Sequence, residues 1–237
     1  MTEKEVAIVV GAGPGLGNAL VARFAEAGMT VAAVSRRGIA PKLQQGSSAI
    51  HGYACDATMG DQVKALFASL EQELGPPDVV VFNVGTWDRA SILQISDELF
   101  MHAWRTGCFG GFLVGREAAR RLVPLGRGTL IFTGASGSLR GRPSFASFAA
   151  AKAGLRAVAQ AMAREFGPLG LHVAHVVIDG GIDGERLNSR FPQRRAEKGA
   201  DGLLNIDAIA DSYWHIHRQA PSAWSHEIDL RPYKETF

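Results

Sequence analysis

The sequence predicts an α/β fold: a single Rossmann-like domain built on a doubly wound parallel sheet. Short apolar runs alternate with helical segments along the 237 residues, the first run ends in a cluster of glycines, and no linker or charge run divides the chain. Apolar runs of this length are typical of strands buried on both faces of a parallel sheet. Their alternation with helices indicates repeated βαβ units. We therefore predict one domain over residues 1–237.

The first strand and helix set the pattern for the rest of the chain. Val6–Val10 is predicted as a buried strand because it is apolar throughout, and Leu16–Ala27 as the helix after it, which Gly28 ends. The same criteria predict the strands Thr30–Ser35, Ala49–Ala54, Asp78–Asn83, Thr129–Thr133 and His172–Ile178, and an edge strand Trp224–Leu230. They predict the helices Asp61–Leu74, Asp97–Val123, Ser144–Phe166 and Asp207–Arg218.

Composition and charge narrow the classes of function. The formal net charge is +2, and basic residues stand in mixed-sign clusters such as 194–198, which argues against a nucleic-acid partner. Cys55 and Cys108 lie far apart and outside any CxxC spacing, so neither a disulfide framework nor a zinc site is predicted. The chain starts without a secretory signal pattern, and no apolar stretch is long enough to span a membrane. We expect a cytoplasmic protein.

The histidines are not predicted to bind a metal. His172 and His175 fall on opposite faces of one strand, and His215 and His217 on opposite sides of one helix. Neither pair can chelate a single ion, so we interpret these side chains as packing or surface residues.

A glycine-rich turn joins the first strand to the first helix. Gly11, Gly15, Leu16 and Gly17 lie in this turn and at the start of the helix. Glycines in such a turn let the backbone approach a pyrophosphate, which the N-terminus of the helix attracts. The alternative is a plain strand-to-helix turn. The strand before the glycines and the helix after them favour a dinucleotide site.

Two arginines follow the second strand. Folds that bind NAD place an acidic residue near this position, whereas this chain has Arg36 and Arg37. An arginine here can bind a ribose 2′-phosphate, which favours NADP over NAD. The alternative is that both are solvated loop residues.

These features, taken with three more, resemble the short-chain dehydrogenase/reductase family over nearly the whole chain. The additional features are Asp56 after the third strand, Asn83 and Gly85 after the fourth, and Lys152 in a helix. The resemblance implies that Asp56 meets the adenine, that the Asn83 turn lies against the adenosine, and that Lys152 holds the nicotinamide ribose. Alone, Asp56 is equally typical of a helix cap and Asn83 of a turn.

The catalytic positions implied by this resemblance are filled differently. The family uses an Asn, a Ser, a Tyr and a Lys, of which only Lys152 is present. Phe148 stands at the tyrosine position, four residues before the lysine, while Ala135 and Gly107 stand at the serine and asparagine positions. Ser136 is the neighbouring hydroxyl that remains a candidate. Losing a positioned phenol lowers the reaction rate about 10²–10⁴-fold, so we expect ordinary carbonyl reduction to be slow.

The turn after the sixth strand also departs from the family pattern. The family has Pro-Gly here, whereas this chain has the segment 179–183. The resemblance implies that the backbone of Ile182 faces the nicotinamide amide. Asp179 and Asp183 place carboxylates near the ring, where either can substitute as acid or base. The alternative is a turn-forming aspartate beside glycine.

Three aromatic residues and one polar segment are predicted around the same site. Trp87, Phe145 and Phe148 either form a wall for an apolar or planar substrate or fill the core. Residues 185–205 are predicted as a helical lid over the cleft, the alternative being a surface helix without a chemical role.

The sequence therefore predicts an NADP(H)-binding oxidoreductase with a non-standard or weakened catalytic site and a small-molecule carbonyl substrate, with NAD as the alternative cofactor. The alternative functions are a non-enzymatic NADP(H) sensor or regulatory subunit, and a subunit that stabilises an active sister chain. The resemblance also implies a homodimer or homotetramer that pairs through the helices 97–123 and 144–166.

Overall fold

Seven parallel strands form the central sheet of the computed structural model, which describes residues 4–39, 41 and 50–235. The strands of this sheet are β1 (Val6–Val10), β2 (Thr30–Ser35), β3 (Ile50–Ala54), β4 (Val79–Phe82), β5 (Thr129–Thr133), β6 (His172–Ile178) and β9 (Glu227–Leu230). Their order across the sheet is β3-β2-β1-β4-β5-β6-β9. From β1 the strand order runs outward to β2 and β3 on one side and to β4, β5, β6 and β9 on the other. The switch point between β1 and β4 is where ligands bind in open α/β sheets. The predicted doubly wound fold is confirmed.

The described residues form eight α-helices. They are α1 (Leu16–Glu26), α2 (Gly60–Leu74), α3 (Asp97–Trp104), α4 (Gly110–Leu122), α5 (Ala146–Phe166), α6 (Glu185–Arg190), α7 (Gln193–Lys198) and α8 (Ile206–His217). The helices α1 and α8 pack on one face, and α2, α4 and α5 on the other. A short parallel pair, β7 (Ile182–Asp183) and β8 (Leu204–Asn205), flanks α6 and α7. No helix in the described part of the chain is both long and apolar enough to cross a membrane.

Each central strand contributes to two cores. In β1, Ile8 and Val10 pack in the core beneath α2, α4 and α5, whereas Ala7 and Val9 pack in the core beneath α1 and α8. All four side chains are almost fully buried. Burial on both faces explains why the strand is apolar without alternation.

The predicted helix Asp97–Val123 is wrong in one respect, because it is not α-helical throughout. A π-helical turn, Arg105–Phe109, separates α3 from α4. At its centre is Gly107, where a Cβ atom would lie 3.0 Å from the Cβ of Ala151 in α5. The absence of a side chain at residue 107 therefore lets this turn pack closely on α5.

Two predicted element starts also shift. Helix α5 begins at Ala146 rather than Ser144, because Ser144 has a φ of 67°, which is outside the helical range. The edge strand begins at Glu227, since Trp224 ends a short 3-10 turn and stacks on His172 with ring centroids 4.7 Å apart. The predicted start of the third strand, Ala49, lies outside the described residues.

Candidate functional site

The glycine-rich turn is built so tightly that side chains are excluded at two positions. Gly11 has a φ of 99°, and a Cβ there would lie 2.7 Å from the carbonyl oxygen of Asn83. A Cβ on Gly17 would lie 2.2 Å from the carbonyl oxygen of Gly11. Both contacts are with backbone, so they cannot be relieved by a side-chain movement. The start of α1 is thereby held against the end of β1.

The space beyond this turn is open. A Cβ on Gly13 or Gly15 would meet no atom within 4 Å. Leu16 and Gly17 are the first two residues of α1, so their amides have no acceptor within the helix. Free amides and the positive end of the helix dipole together favour an anion at this edge of the sheet.

Asn83 ties the end of β4 to the glycine-rich turn. Its Nδ2 donates to the carbonyl oxygen of Gly11 at 3.3 Å. Two residues later, Gly85 is exposed, and a Cβ there would lie 3.3 Å from Nζ of Lys152. The structure therefore brings Gly11, Asn83, Gly85 and Lys152 to one edge of the sheet.

Lys152 is buried in the middle of this edge. It is 5% exposed, and its Nζ donates to the carbonyl oxygens of Thr133 at 2.7 Å and Val84 at 3.4 Å. Burial lowers the pKa of Lys152 to about 8. The side chain is thus positioned by the ends of β4 and β5, rather than by an acidic partner.

The residues after β2 and β3 form the far end of the same edge. Arg36 and Arg37 are exposed, and neither guanidinium forms a hydrogen bond or salt bridge with the described residues. Asp56 Oδ1 accepts from the amide of Thr58 at 2.9 Å and from its hydroxyl at 2.8 Å. The hydrogen bond from the backbone N–H of Thr58 is the main reason that the pKa of Asp56 lies below its usual value. The positive charge of Arg36 lowers this pKa further. The carboxylate therefore caps the turn before α2.

Phe148 lies one helical turn before Lys152 on α5. Its ring is half-buried and packs on Gly137, where a Cβ would lie 2.8 Å from the ring.

Two serine hydroxyls near Phe148, those of Ser136 and Ser138, differ in burial and in hydrogen bonding. Ser138 is buried, and its Oγ accepts from the amide of Ala135 at 3.1 Å. Ser136 is half-buried and makes no side-chain hydrogen bond within the described residues, so it is the available hydroxyl.

A polar chain that starts at two buried side chains, Ser138 and His175, was not predicted. Ser138 Oγ lies 3.3 Å from Nε2 of His175, whose Nδ1 lies 2.9 Å from Oε2 of Glu227. Arg156 donates two hydrogen bonds of 2.7 Å to the same carboxylate, and they hold the pKa of Glu227 below its usual value. Burial lowers the pKa of His175 to about 4. The neutral ring therefore donates from Nδ1 to Glu227 and accepts at Nε2 from Ser138.

The two aspartates after β6 have different environments. Asp179 is 1% exposed, and both of its oxygens accept from Arg140, at 3.0 and 2.8 Å, while Arg231 lies 3.1 Å away. Because the guanidinium groups of Arg140 and Arg231 both contact this buried carboxylate, the structure does not favour Asp179 as an acid or base. Asp183 accepts from Asn188 at 2.8 Å, pairs with Arg195 at 3.3 Å, and keeps 28% of its side chain exposed. Of the two, Asp183 remains accessible, next to Ile182 in β7.

A row of four aromatic rings borders the site. Phe148 contacts Phe145, with ring centroids 6.4 Å apart; Phe145 contacts Trp87 at 5.7 Å; and Trp87 contacts Phe191 at 5.9 Å. All four side chains are half-buried, which favours a wall over core filling. Phe191 lies between α6 and α7, so the predicted lid segment touches the wall. Among the described residues, no group of three His, Cys, Asp or Glu side chains is placed to hold a metal ion.

Comparisons with known proteins identify similar chains. The family model described as short chain dehydrogenase matches residues 5–195. The 3-oxoacyl-[acyl-carrier-protein] reductase MabA of Mycobacterium avium is 32% identical over 193 residues, which cover 81% of this chain and 72% of that protein. The crystal structure of a short-chain dehydrogenase from Rhodopseudomonas palustris has 34% identity and a TM-score of 0.80, covering 98% of this chain and 100% of that one. An actinorhodin polyketide ketoreductase solved with NADPH has a TM-score of 0.85 at 20% identity, covering 98% and 97% of the two chains, and shares the fold.

Proposed function

The chain belongs to the short-chain dehydrogenase family, and on this premise we propose that it binds NADP(H) and transfers hydride between the cofactor and a small carbonyl or alcohol at a weakened catalytic site. The observation that carries this proposal is the meeting of the glycine-rich turn with Lys152 at one edge of the sheet. Asn83 and Gly85 connect the two. The relatives named above as reductases and dehydrogenases support an oxidoreductase.

The residues at this edge fit a dinucleotide. The amides of Leu16 and Gly17, with the open space beyond Gly15, suit a pyrophosphate. Arg36 and Arg37 suit a 2′-phosphate because both are exposed and form no salt bridge with described residues. We assign the adenosine end to Asp56 and Asn83, and the amide of the nicotinamide to the backbone of Ile182. NAD is the alternative cofactor. When bound, the cofactor supplies or accepts the hydride.

Lys152 is the group that holds the ribose and orients the reacting end. Its ammonium already donates to two carbonyl oxygens, so its position is fixed before a ligand arrives. A cation with a pKa of about 8 is also suited to lower the pKa of a neighbouring hydroxyl.

The weakness of the site lies in proton delivery. Phe148 has no hydroxyl, and the positions of Ala135 and Gly107 add no polar side chain. The accessible groups that can deliver a proton are Ser136, directly or through a water, and Asp183. A planar, apolar carbonyl compound suits the aromatic wall, and the segment 185–205 acts as the lid that closes over it.

Two measurements test the proposal. Fluorescence titration with NADPH measures binding, and NADPH consumption with diketones and quinones measures turnover. We expect binding together with slow turnover. Failure to bind either NADPH or NADH would contradict the proposal.

A second candidate is a non-enzymatic NADP(H) sensor or regulatory subunit. It is favoured by the phenylalanine at the position where a proton donor would stand, and by the arginine pairs that occupy Asp179. A sensor binds NADPH but gives no hydride transfer with any carbonyl or alcohol, and a regulatory subunit co-purifies with its active partner.

A further inference from the structure

The aromatic wall carries a set of stacked arginines. Cζ of Arg190 lies 4.9 Å from the ring centroid of Trp87 and 5.8 Å from that of Phe191, and Cζ of Arg194 lies 4.8 Å from the Phe191 ring. Arg89 lies 5.9 Å from the ring of Phe145. Two of these three cations come from the lid segment and one from the loop after β4. Stacking orients a guanidinium and leaves its N–H donors in the plane available.

These three arginines differ from their neighbours in lacking carboxylate partners. Arg195 pairs with Asp183 and Arg140 with Asp179. Arg89, Arg190 and Arg194 are exposed, and none of them forms a salt bridge within the described residues. Asp88 is adjacent in sequence, but no salt bridge joins it to these arginines. The wall thus combines apolar rings with three guanidinium groups that form no salt bridge within the described residues.

A backbone hydrogen bond and a ring contact connect the loop after β4 to the start of α5 and to the lid segment. The amide of Ala90 donates to the carbonyl oxygen of Ser144 at 3.0 Å, which fastens the loop carrying Trp87 and Arg89 to the start of α5. The Trp87–Phe191 contact joins the same loop to the lid. Ser144 has a φ of 67°, an uncommon conformation for serine that often occurs at ligand sites.

We propose that the substrate is a planar carbonyl compound bearing a carboxylate, with its apolar part against Phe145 and Phe148 and its carboxylate bound by Arg190 and Arg194. This inference rests on the proposed function and specifies its substrate class. Arginine binds carboxylates through two parallel hydrogen bonds, so Arg190 and Arg194 would orient the substrate as well as select its negative charge. The rings of the wall supply stacking surface on the side of Phe148, one turn from Lys152.

The test compares 2-naphthoate with 2-naphthamide, which have nearly the same shape and differ in charge. Calorimetric titrations are run with and without NADPH, so the preference is measured whether or not the cofactor binds. We expect the parent to bind 2-naphthoate roughly tenfold or more tightly than 2-naphthamide. Arg190→Gln and Arg194→Gln should each reduce this ratio, and the double variant should abolish it.

Arg164→Gln is the matched control, because it removes the same charge from the opposite end of α5, on the order of 25 Å from the wall. It should leave the ratio unchanged. Equal binding of the two compounds by the parent, or a ratio that survives loss of both Arg190 and Arg194, would overturn the inference. NADPH titration of the same samples separates this failure from failure of the proposed function.

Discussion

Nζ of Lys152 lies 2.7 Å from the carbonyl oxygen of Thr133, in a position that is almost closed to solvent. Its hydrogen-bond partners among the described residues are backbone carbonyl oxygens, which carry no net charge. Burial without a counter-charge disfavours the ammonium form, so the fold holds this cation at a cost in stability.

This cost predicts a pH dependence that belongs to Lys152. The pKa of the group is 10.5 in its ordinary state and about 8 in the folded protein. Between these values the unfolded state binds more protons, so the free energy of unfolding rises with pH. We expect a contribution of about 1.4 kcal/mol per pH unit, and about 3 kcal/mol in total. Urea denaturation of the parent and of Lys152→Met between pH 8 and pH 10.5 measures it. A difference between the two proteins that stays constant with pH would contradict it.

The glycine-rich turn predicts a contrast between two substitutions. Gly17→Ala places a Cβ 2.2 Å from a carbonyl oxygen, whereas Gly13→Ala meets no atom within 4 Å. We expect Gly17→Ala to lower the free energy of unfolding by about 2 kcal/mol or more. Gly13→Ala should stay close to the parent. Equal stability of the two variants in urea denaturation would refute the predicted packing of α1 on the turn.

Arg36 is predicted to determine the choice of cofactor. A charge-assisted contact with the 2′-phosphate contributes about 1.5–3 kcal/mol, so the parent should prefer NADPH to NADH by more than roughly tenfold. Arg36→Ala should remove most of this preference and leave NADH affinity unchanged, which serves as an internal control. Calorimetry with both cofactors measures the four affinities. Equal affinities in the parent would rule out this role.

The exposed face of α5 predicts an oligomer. Ala153, Ala157 and Ala161 repeat at four-residue spacing on this face and are all exposed. Small side chains let two helices approach closely. In a dimer with two-fold symmetry, the α5 helices of the two subunits would pack together and bury these alanines. We expect a homodimer or homotetramer by light scattering, and dissociation in Ala157→Arg. A parent mass near 25.3 kDa at micromolar concentration would exclude the oligomer.

The elements that the sequence predicted are those with local causes. The strands are apolar because both of their faces are buried. Gly11 is required by its contact with Asn83, just after β4, and Gly17 by its contact with Gly11 in the same turn. The grouping of Asn83, Gly85 and Lys152 followed from the family resemblance. These residues lie at the carboxyl ends of adjacent strands or beside them, so the topology brings them together.

The features that escaped prediction depend on strand register and on contacts between segments that are distant in sequence. Ser138, His175 and Glu227 meet because β5, β6 and β9 align at one level, and they are separated by 37 and 52 positions in sequence. No spacing rule connects such residues. The π-helical turn 105–109 has the same local apolar pattern as an α-helix. The carboxylate of Asp179 contacts Arg231, which follows the last strand of the sheet, 52 positions later in the sequence.

Phe148 leaves the proposed site without a phenol four residues before Lys152, and Ala135 and Gly107 leave it without two further polar side chains. Steady-state NADPH-dependent reduction of a diketone or quinone is measured for the parent, Phe148→Tyr, Ala135→Ser and the double variant. Phe145→Tyr is the control, because it adds a phenol to the neighbouring ring of the wall and not to the position four residues before Lys152.

We expect a slow parent, a small gain in Phe148→Tyr, and a larger gain in the double variant than the two single gains predict, because groups that act as a unit are not additive. Phe145→Tyr should give no gain. The opposite result is a parent with kcat/KM above about 10⁴ M⁻¹s⁻¹, in the range of ordinary enzymes, which loses activity in both Phe148→Tyr and Asp183→Asn. That result would show that the catalytic site is not weakened and would assign proton transfer to Asp183.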